Sequence, residues 1–375
     1  MHTLVFNVAH QLRCGTAAAA ILAFTTAPAM AAYIQENLVS SVPGIALFTD
    51  SDLKNPWGIA HSGGSPWWVS DNGTNKSTLY DGGGVKRATI VAIPGLAPTG
   101  VVNNNTAAAS SSFTIPGGAK SRFIFADENG HIDAWSGGAS AVIVASTPDA
   151  SYKGLAIGAN ASGDFLYAAN VAAGKVDVFN SSFASASLPG NFTDPSLPAG
   201  YAPFGIQNIN GNIYVAYALK EAGGDEEMPG PGFGRVAVFD TNGVFIKEVA
   251  AGGTLNAPWG LTMAPDNFGP FSGDLLVGNF GDGTINAFDA VTDAFEGQLK
   301  KSGSVISIEG LWGIGFGNGA NAGPVNALYF AAGINDEADG LFGRIRVPEP
   351  ATLSIFGLGL LGFFALRRRH EAKAK

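Results

Sequence analysis

The chain has 375 residues, of which 52 are glycine, 46% are hydrophobic and only 14% are charged. That balance excludes a disordered chain, which lacks the apolar surface needed to fold, and points to many turns between tightly packed strands. The formal net charge of −9 weighs against nucleic acid and anionic lipid as partners.

Residues 1–31 read as a secretory signal. Arg13 supplies the basic n-region, Ala17 to Phe24 the apolar h-region, and Ala29-Met30-Ala31 a small-x-small cleavage site. Cys14 is the single cysteine and leaves with that segment, so the mature body is expected to hold no disulfide, thiolate metal site or cysteine nucleophile. The stretch Tyr33 to Phe48 that follows contains two short apolar runs, Asn37 to Ser40 and Ile45 to Phe48.

From there a phrase recurs. Asn55-Pro56-Trp57-Gly58-Ile59 and Asn256-Ala257-Pro258-Trp259-Gly260-Leu261 are its fullest copies, and Pro98-Thr99-Gly100, Tyr152-Lys153-Gly154, Pro203-Phe204-Gly205 and Leu311-Trp312-Gly313 keep its frame. The glycines stand 42, 54, 51, 55 and 53 residues apart, and a period near fifty with strand-like content marks a radial repeat.

Each copy opens a short strand, turns at polar residues such as Asn210-Gly211-Asn212, and enters a β-branched or aromatic run such as Trp67-Trp68-Val69 or Leu275-Leu276-Val277. An alternating third strand ends on an aromatic, as in Arg235 to Phe239 and Thr284 to Phe288, and a weaker fourth closes the unit. Four strands in each of six units predict an all-β, six-bladed β-propeller over residues 32–347. The sixth unit runs out after Gly343 to Val347, so its outer strand is predicted to come from Asn37 to Ser40 or Ile45 to Phe48, which removes an exposed sheet edge.

The Pro-x-Gly-apolar openings, with Val238-Phe239-Asp240 and Ala287-Phe288-Asp289 at the third-strand ends, resemble NHL-type propellers. The segment from Pro258 to Phe288 also resembles an uncharacterised family of exported propellers; that resemblance spans roughly Tyr33 to Val347 and implies fold and export without an established activity.

The C-terminal residues 348–375 have three parts: Pro348-Glu349-Pro350, sixteen uncharged and mostly apolar residues from Ala351 to Leu366, and Arg367-Arg368-Arg369. The apolar run is at the short end for a membrane span, and the arginines place its far end in the cytoplasm. This order resembles the PEP-CTERM sorting signal. The resemblance implies processing by an exosortase-type enzyme after transient inner-membrane anchoring, export to the cell surface or beyond, and an exopolysaccharide-making host. Removal of both ends takes Lys and Arg from 21 to 15 and Asp and Glu from 30 to 28, leaving a body near −13.

Three constellations bear on chemistry. Propeller lactonases of the gluconolactonase type carry metal-binding Asp or Asn at the middle of Pro-x-Gly. Here those positions hold Trp57, Thr99, Lys153, Phe204, Trp259 and Trp312, and none offers a carboxylate or amide. Trp57, Lys153, Phe204, Trp259 and Trp312 are therefore expected at one mouth of the axial channel, either as a ligand platform for sugar rings or as a plug. Streptogramin lyases use His beside acidic partners; His61 and His131 are the two histidines of the mature body, and Gly-x-Ser-x-Gly does not occur. Finally, Asp71, Asp127, Asn170, Asn279 and Asp282, with Asn72 and Glu128, follow second strands. They are candidates for a Ca²⁺ site or for turn caps. These readings favour a non-enzymatic binding module associated with extracellular polysaccharide, with an atypical lactonase- or lyase-like enzyme as the alternative.

Overall fold

The computed structural model describes residues 33–107 and 110–348. Each copy of the repeated phrase begins one antiparallel sheet, and the six sheets stand radially as blades of a β-propeller. Blade 1 runs outward through Pro56–Ala60, Trp67–Asp71, Lys76–Tyr80 and Lys86–Ala92. Blades 2 to 5 repeat this meander over residues 98–146, 152–186, 201–251 and 258–298.

The second strands are the packed layer. Trp67–Asp71, Phe123–Asp127, Leu275–Asn279 and Ala327–Ala332 are buried at every position, because neighbouring blades cover both faces. Their β-branched and aromatic content suits that double burial. The apolar clusters accordingly bridge blades: one joins Ile124 and Ile132 of blade 2 to Tyr152 and Leu155 of blade 3. Another joins Trp67 and Tyr80 of blade 1 to Tyr329 and Phe342 of blade 6.

Blade 6 is a composite. Leu311–Phe316, Ala327–Ala332 and Leu341–Arg346 come from the end of the ring. Its fourth strand is Ile34–Ser40, paired antiparallel from Ile34 opposite Arg346 to Ser40 opposite Leu341. Of the two predicted donors, Asn37 to Ser40 therefore closes the ring, while Phe48 of the second run adds outside it, parallel to Val39. Glu36 accepts from Nε of Arg344 and of Arg346, each at 2.7 Å. The Tyr33 hydroxyl donates to the Phe268 carbonyl at 2.9 Å.

The phrase itself has a common geometry. In all six blades the ladder between first and second strands slips within the Pro-x-Gly segment: between Pro56 and Ile59, Pro98 and Val101, Tyr152 and Gly154, Pro203 and Gly205, Pro258 and Gly260, and Leu311 and Ile314. Such a bulge re-aims one side chain. Here it brings the middle residue to the axis and turns the glycine toward the next blade. A Cβ on Gly58 would lie 2.5 Å from the Thr99 carbonyl oxygen, one on Gly260 2.6 Å from that of Trp312, and one on Gly313 2.6 Å from that of Trp57. Five of the six glycines thus abut the middle residue of the following phrase, the sixth copy abutting the first, while Gly100 abuts Gly154 and Leu155 of the next phrase.

The predicted signal (1–31) and the sorting residues Glu349, Pro350, Arg367, Arg368 and Arg369 lie outside the described residues; Pro348 is inside them. No helix among the described residues is long and apolar enough to cross a membrane.

Candidate functional site

The bulged phrases gather Trp57, Lys153, Phe204, Trp259 and Trp312 at one end of the axis, as the repeat register predicts. Trp57 and Trp312 stack with ring centroids 3.5 Å apart, and Phe280 stacks on Trp312 at 4.0 Å. Trp259 meets Trp57 and Trp312 edge-on at 6.2 and 5.9 Å, and Phe204 meets Trp312 at 5.6 Å. Trp57 is 2% exposed and Phe204 and Trp312 are fully buried. The faces that would receive a sugar ring are occupied by one another, so the set closes the channel. Hydrogen bonds fix the rings: Trp259 Nε1 donates to the Lys153 carbonyl at 2.8 Å and Trp312 Nε1 to Asn55 Oδ1 at 3.1 Å.

Lys153 lies among these rings, its Nζ 5.3 Å from the Trp57 ring centroid, a cation–π contact. Its side chain is 1% exposed and pairs with Glu128 and Glu226. Burial alone would lower its pKa, but the Glu128 and Glu226 carboxylates outweigh that and hold it above the ordinary lysine range. Glu227 on the same insertion is pushed up to about 8 by burial, with Glu226 and Glu337 adding to the effect. Glu337 accepts from Asn55 Nδ2 and follows Asn335 and Asp336 in a run of three left-handed residues, φ 57, 50 and 63°. Glutamates from three blades therefore gather around the plugged end.

The oxygen-rich turn residues meet only in pairs, Asn279 with Asp282 and Asn72 with Glu128. Asp71, Asp127, Asn170 and Asn279 end the second strands of four different blades, and each serves its own turn. Asp71 accepts from the Thr78 amide at 2.9 Å. Asn170 donates to Asp177 at 2.7 Å. Asn279 donates to Asp282, which also accepts from the Thr284 amide and hydroxyl. Among the described residues no group of three or more His, Cys, Asp or Glu is placed to hold a metal ion.

Blade 2 carries a buried carboxyl pair in this position. Asp127 Oδ1 accepts from the amides of Asn129 and His131 at 2.9 and 3.0 Å. Asp133 accepts from the Gly95 amide at 3.2 Å. The remaining oxygen of each, Oδ2, has no donor among the described residues, and both lie where a side chain at Gly95 would have to go. Burial first, then the hydrogen bond and charge of Asp127, push Asp133 up to about 8. Two buried carboxyls resist ionising together, so the pair keeps one proton at neutral pH. The proton belongs to Asp133, since Asp127 already has more donors stabilising its charge.

The opposite end of the axis is open. A blind funnel of about 730 Å³ is lined by the distal ends of the first strands from all six blades, among them His61, Asn103, Asn105, Gln207, Asn208 and Thr262. No Asp, Glu, Lys or Arg lines it. Beneath it the axis narrows to a cavity of about 40 Å³ between Leu155, Trp259 and the phrase glycines, room for about one water. Both histidines are committed. His61 sets Nδ1 on the Ser62 carbonyl at 3.1 Å and Nε2 on that of Phe316 at 2.8 Å, and His131 Nδ1 lies 3.3 Å from Asp127. The funnel was missed in the sequence because its lining residues fall at strand ends without a shared motif. The one signal was the recurrence of Asn after first strands, in Asn103 to Asn105 and Asn208 to Asn210.

A protein-family model described as the PEP-CTERM protein-sorting motif matches residues 346–369, which marks the chain for export and C-terminal processing. Among solved structures, a streptogramin B lyase is similar with a TM-score of 0.51 and 13% identity, covering 84% of this chain and 97% of that one. A virginiamycin B lyase from Staphylococcus aureus, solved with quinupristin, gives 0.51 and 14%, covering 84% and 99%. At such identities the likeness shows the propeller fold alone. An uncharacterised protein of Acanthamoeba polyphaga mimivirus is 31% identical over 328 residues, covering 82% of this chain and 78% of its own length. A second from the same virus is 30% identical over 337 residues, covering 84% and 86%. The chain belongs to the family of these mimivirus proteins and carries a PEP-CTERM sorting motif at its C-terminal end.

Proposed function

We propose that this protein is a non-enzymatic binding module of the cell surface or extracellular matrix, taking a hydroxyl-rich saccharide of the extracellular polysaccharide in the wide axial funnel. The carrying observation is the funnel lining: amides and hydroxyls from several blades, with no charged side chain. An amide presents both a donor and an acceptor, which matches the two-way hydrogen bonding of sugar hydroxyls. Catalysis by a lyase- or lactonase-like route would call for a free base or a metal set. The histidines are tied to carbonyls and a turn, and the carboxyls that do gather, Asp127 with Asp133 and the glutamates around Lys153, lie away from the funnel lining. The aromatic set of Trp57, Lys153, Phe204, Trp259 and Trp312 acts in this reading as the seal that makes the channel blind. A Ca²⁺ ion would have to bind at a single turn such as that of Asn279 and Asp282. The sorting motif supports processing by an exosortase-type enzyme after transient anchoring in the inner membrane.

Gln207 lines the funnel and has no side-chain hydrogen bond among the described residues, so Gln207→Ala is the direct test. Calorimetric titration with neutral oligosaccharides should show binding that weakens about tenfold in the variant, equivalent to ~1.4 kcal/mol. Equal affinity in both proteins would remove the funnel from the reading.

A further inference from the structure

A second depression opens beside the funnel. It lies between blades 1 and 2, encloses about 550 Å³, and shares Ser62 and Asn103 with the funnel wall. Its floor is apolar: Trp68 stacks on Phe123 at 4.1 Å and meets Trp135 at 4.6 Å. Its rim is cationic. Lys120 Nζ donates to the carbonyls of Thr106 and Ala107 at 3.2 and 2.6 Å, which leaves one ammonium N–H of three. Arg122 is exposed, with its guanidinium carbon 6.0 Å from the Trp135 ring centroid. Most lysines and arginines among the described residues are paired with carboxylates, whereas neither Lys120 nor Arg122 enters a salt bridge there. No Asp or Glu lines the groove, while the glutamates Glu128, Glu226, Glu227 and Glu337 collect at the plugged end.

We infer that the ligand is an extended acidic polysaccharide, seated with its ring hydroxyls against the amides of the funnel and with carboxylates of neighbouring units on Lys120 and Arg122 in the adjoining groove. This rests on the funnel being the saccharide site. A guanidinium offers a planar pair of donors that fits a carboxylate, while the buried rings of Trp68, Phe123 and Trp135 pack on one another and shape the groove floor rather than stack on the ligand. The continuity of the two depressions selects a chain over a single sugar unit. The neutral amide lining selects a polyhydroxylated chain over an acidic peptide.

Titration of the whole propeller with an oligogalacturonate, a neutral glucan oligomer of equal length, galacturonic acid and a poly-glutamate peptide tests this. At low ionic strength the oligogalacturonate should bind about tenfold or more tighter than the other three, a preference that salt weakens by screening. Arg122→Gln and Lys120→Gln should each reduce that preference severalfold, with unchanged thermal midpoints, while Lys300→Gln, outside the groove, leaves it intact. Equal binding of neutral and acidic oligomers, no effect of the two groove variants, or tighter binding of poly-glutamate would overturn the acidic-chain assignment while leaving the funnel reading standing. Failure of every saccharide to bind would overturn both.

Discussion

Among single residues, Asp133 has the sharpest physical consequence. Its carboxyl is protonated in the folded protein because burial and Asp127 raise its pKa to about 8, against roughly 3.9 when exposed. A folded-state pKa above the unfolded one means that the stabilisation is complete below the unfolded value and is lost as pH rises through the folded value. Buried Asp71, whose burial also raises its pKa, works in the same direction. The thermal midpoint should therefore decline between about pH 5 and pH 9. Asp133→Asn keeps a donor toward Asp127 without a titrating proton, so it should flatten that decline and raise the midpoint at pH 9 relative to the parent. Parallel pH profiles for the two proteins would refute the shared proton. None of this was legible in the sequence. Asp127 could be read as a turn residue there, but its pairing with Asp133 depends on strand register and on the absence of a side chain at Gly95.

At the level of the element, the bulged first strand explains why one phrase recurs. The middle residue must reach the axis, and the glycine must let the next blade's backbone approach. A Cβ on Gly205 would overlap the Trp259 carbonyl, the tightest of the five carbonyl approaches, whereas one on Gly154 would stand 3.1 Å from the Phe204 carbonyl. Gly205→Ala should accordingly cost about 3 kcal/mol or more and Gly154→Ala clearly less, measured by chemical denaturation. Equal losses would separate the glycines from blade contact. The blade count, strand order and aromatic end were legible because they follow from the spacing of this phrase and from β-branched runs. Whether the rings stack open or shut was not, since Phe280 fills the remaining space from outside the pattern. The funnel and the Lys120–Arg122 groove were equally hidden: their residues come from strand ends and turns of different blades, joined only once the ring closes.

For the propeller as a whole, closure is the decisive contact. Ile34–Ser40 contributes Leu38 and Val39 to the core, at 0% and 1% exposure, and Glu36 to two arginines. Deleting residues 33–48 should expose the edge of Leu341–Arg346 and lower the thermal midpoint by on the order of 10 °C; an unchanged midpoint in a differential scan would show that the ring holds without this strand. The same composite blade has a mechanical meaning. Leu341–Arg346 leads directly into the sorting motif and is laddered on one side to Ala327–Ala332 and on the other to Ile34–Ser40. Tension applied through the C-terminal tail cannot peel an edge strand away, because it must break two ladders at once. Ile34–Ser40 thus clamps the point at which the tail leaves the propeller.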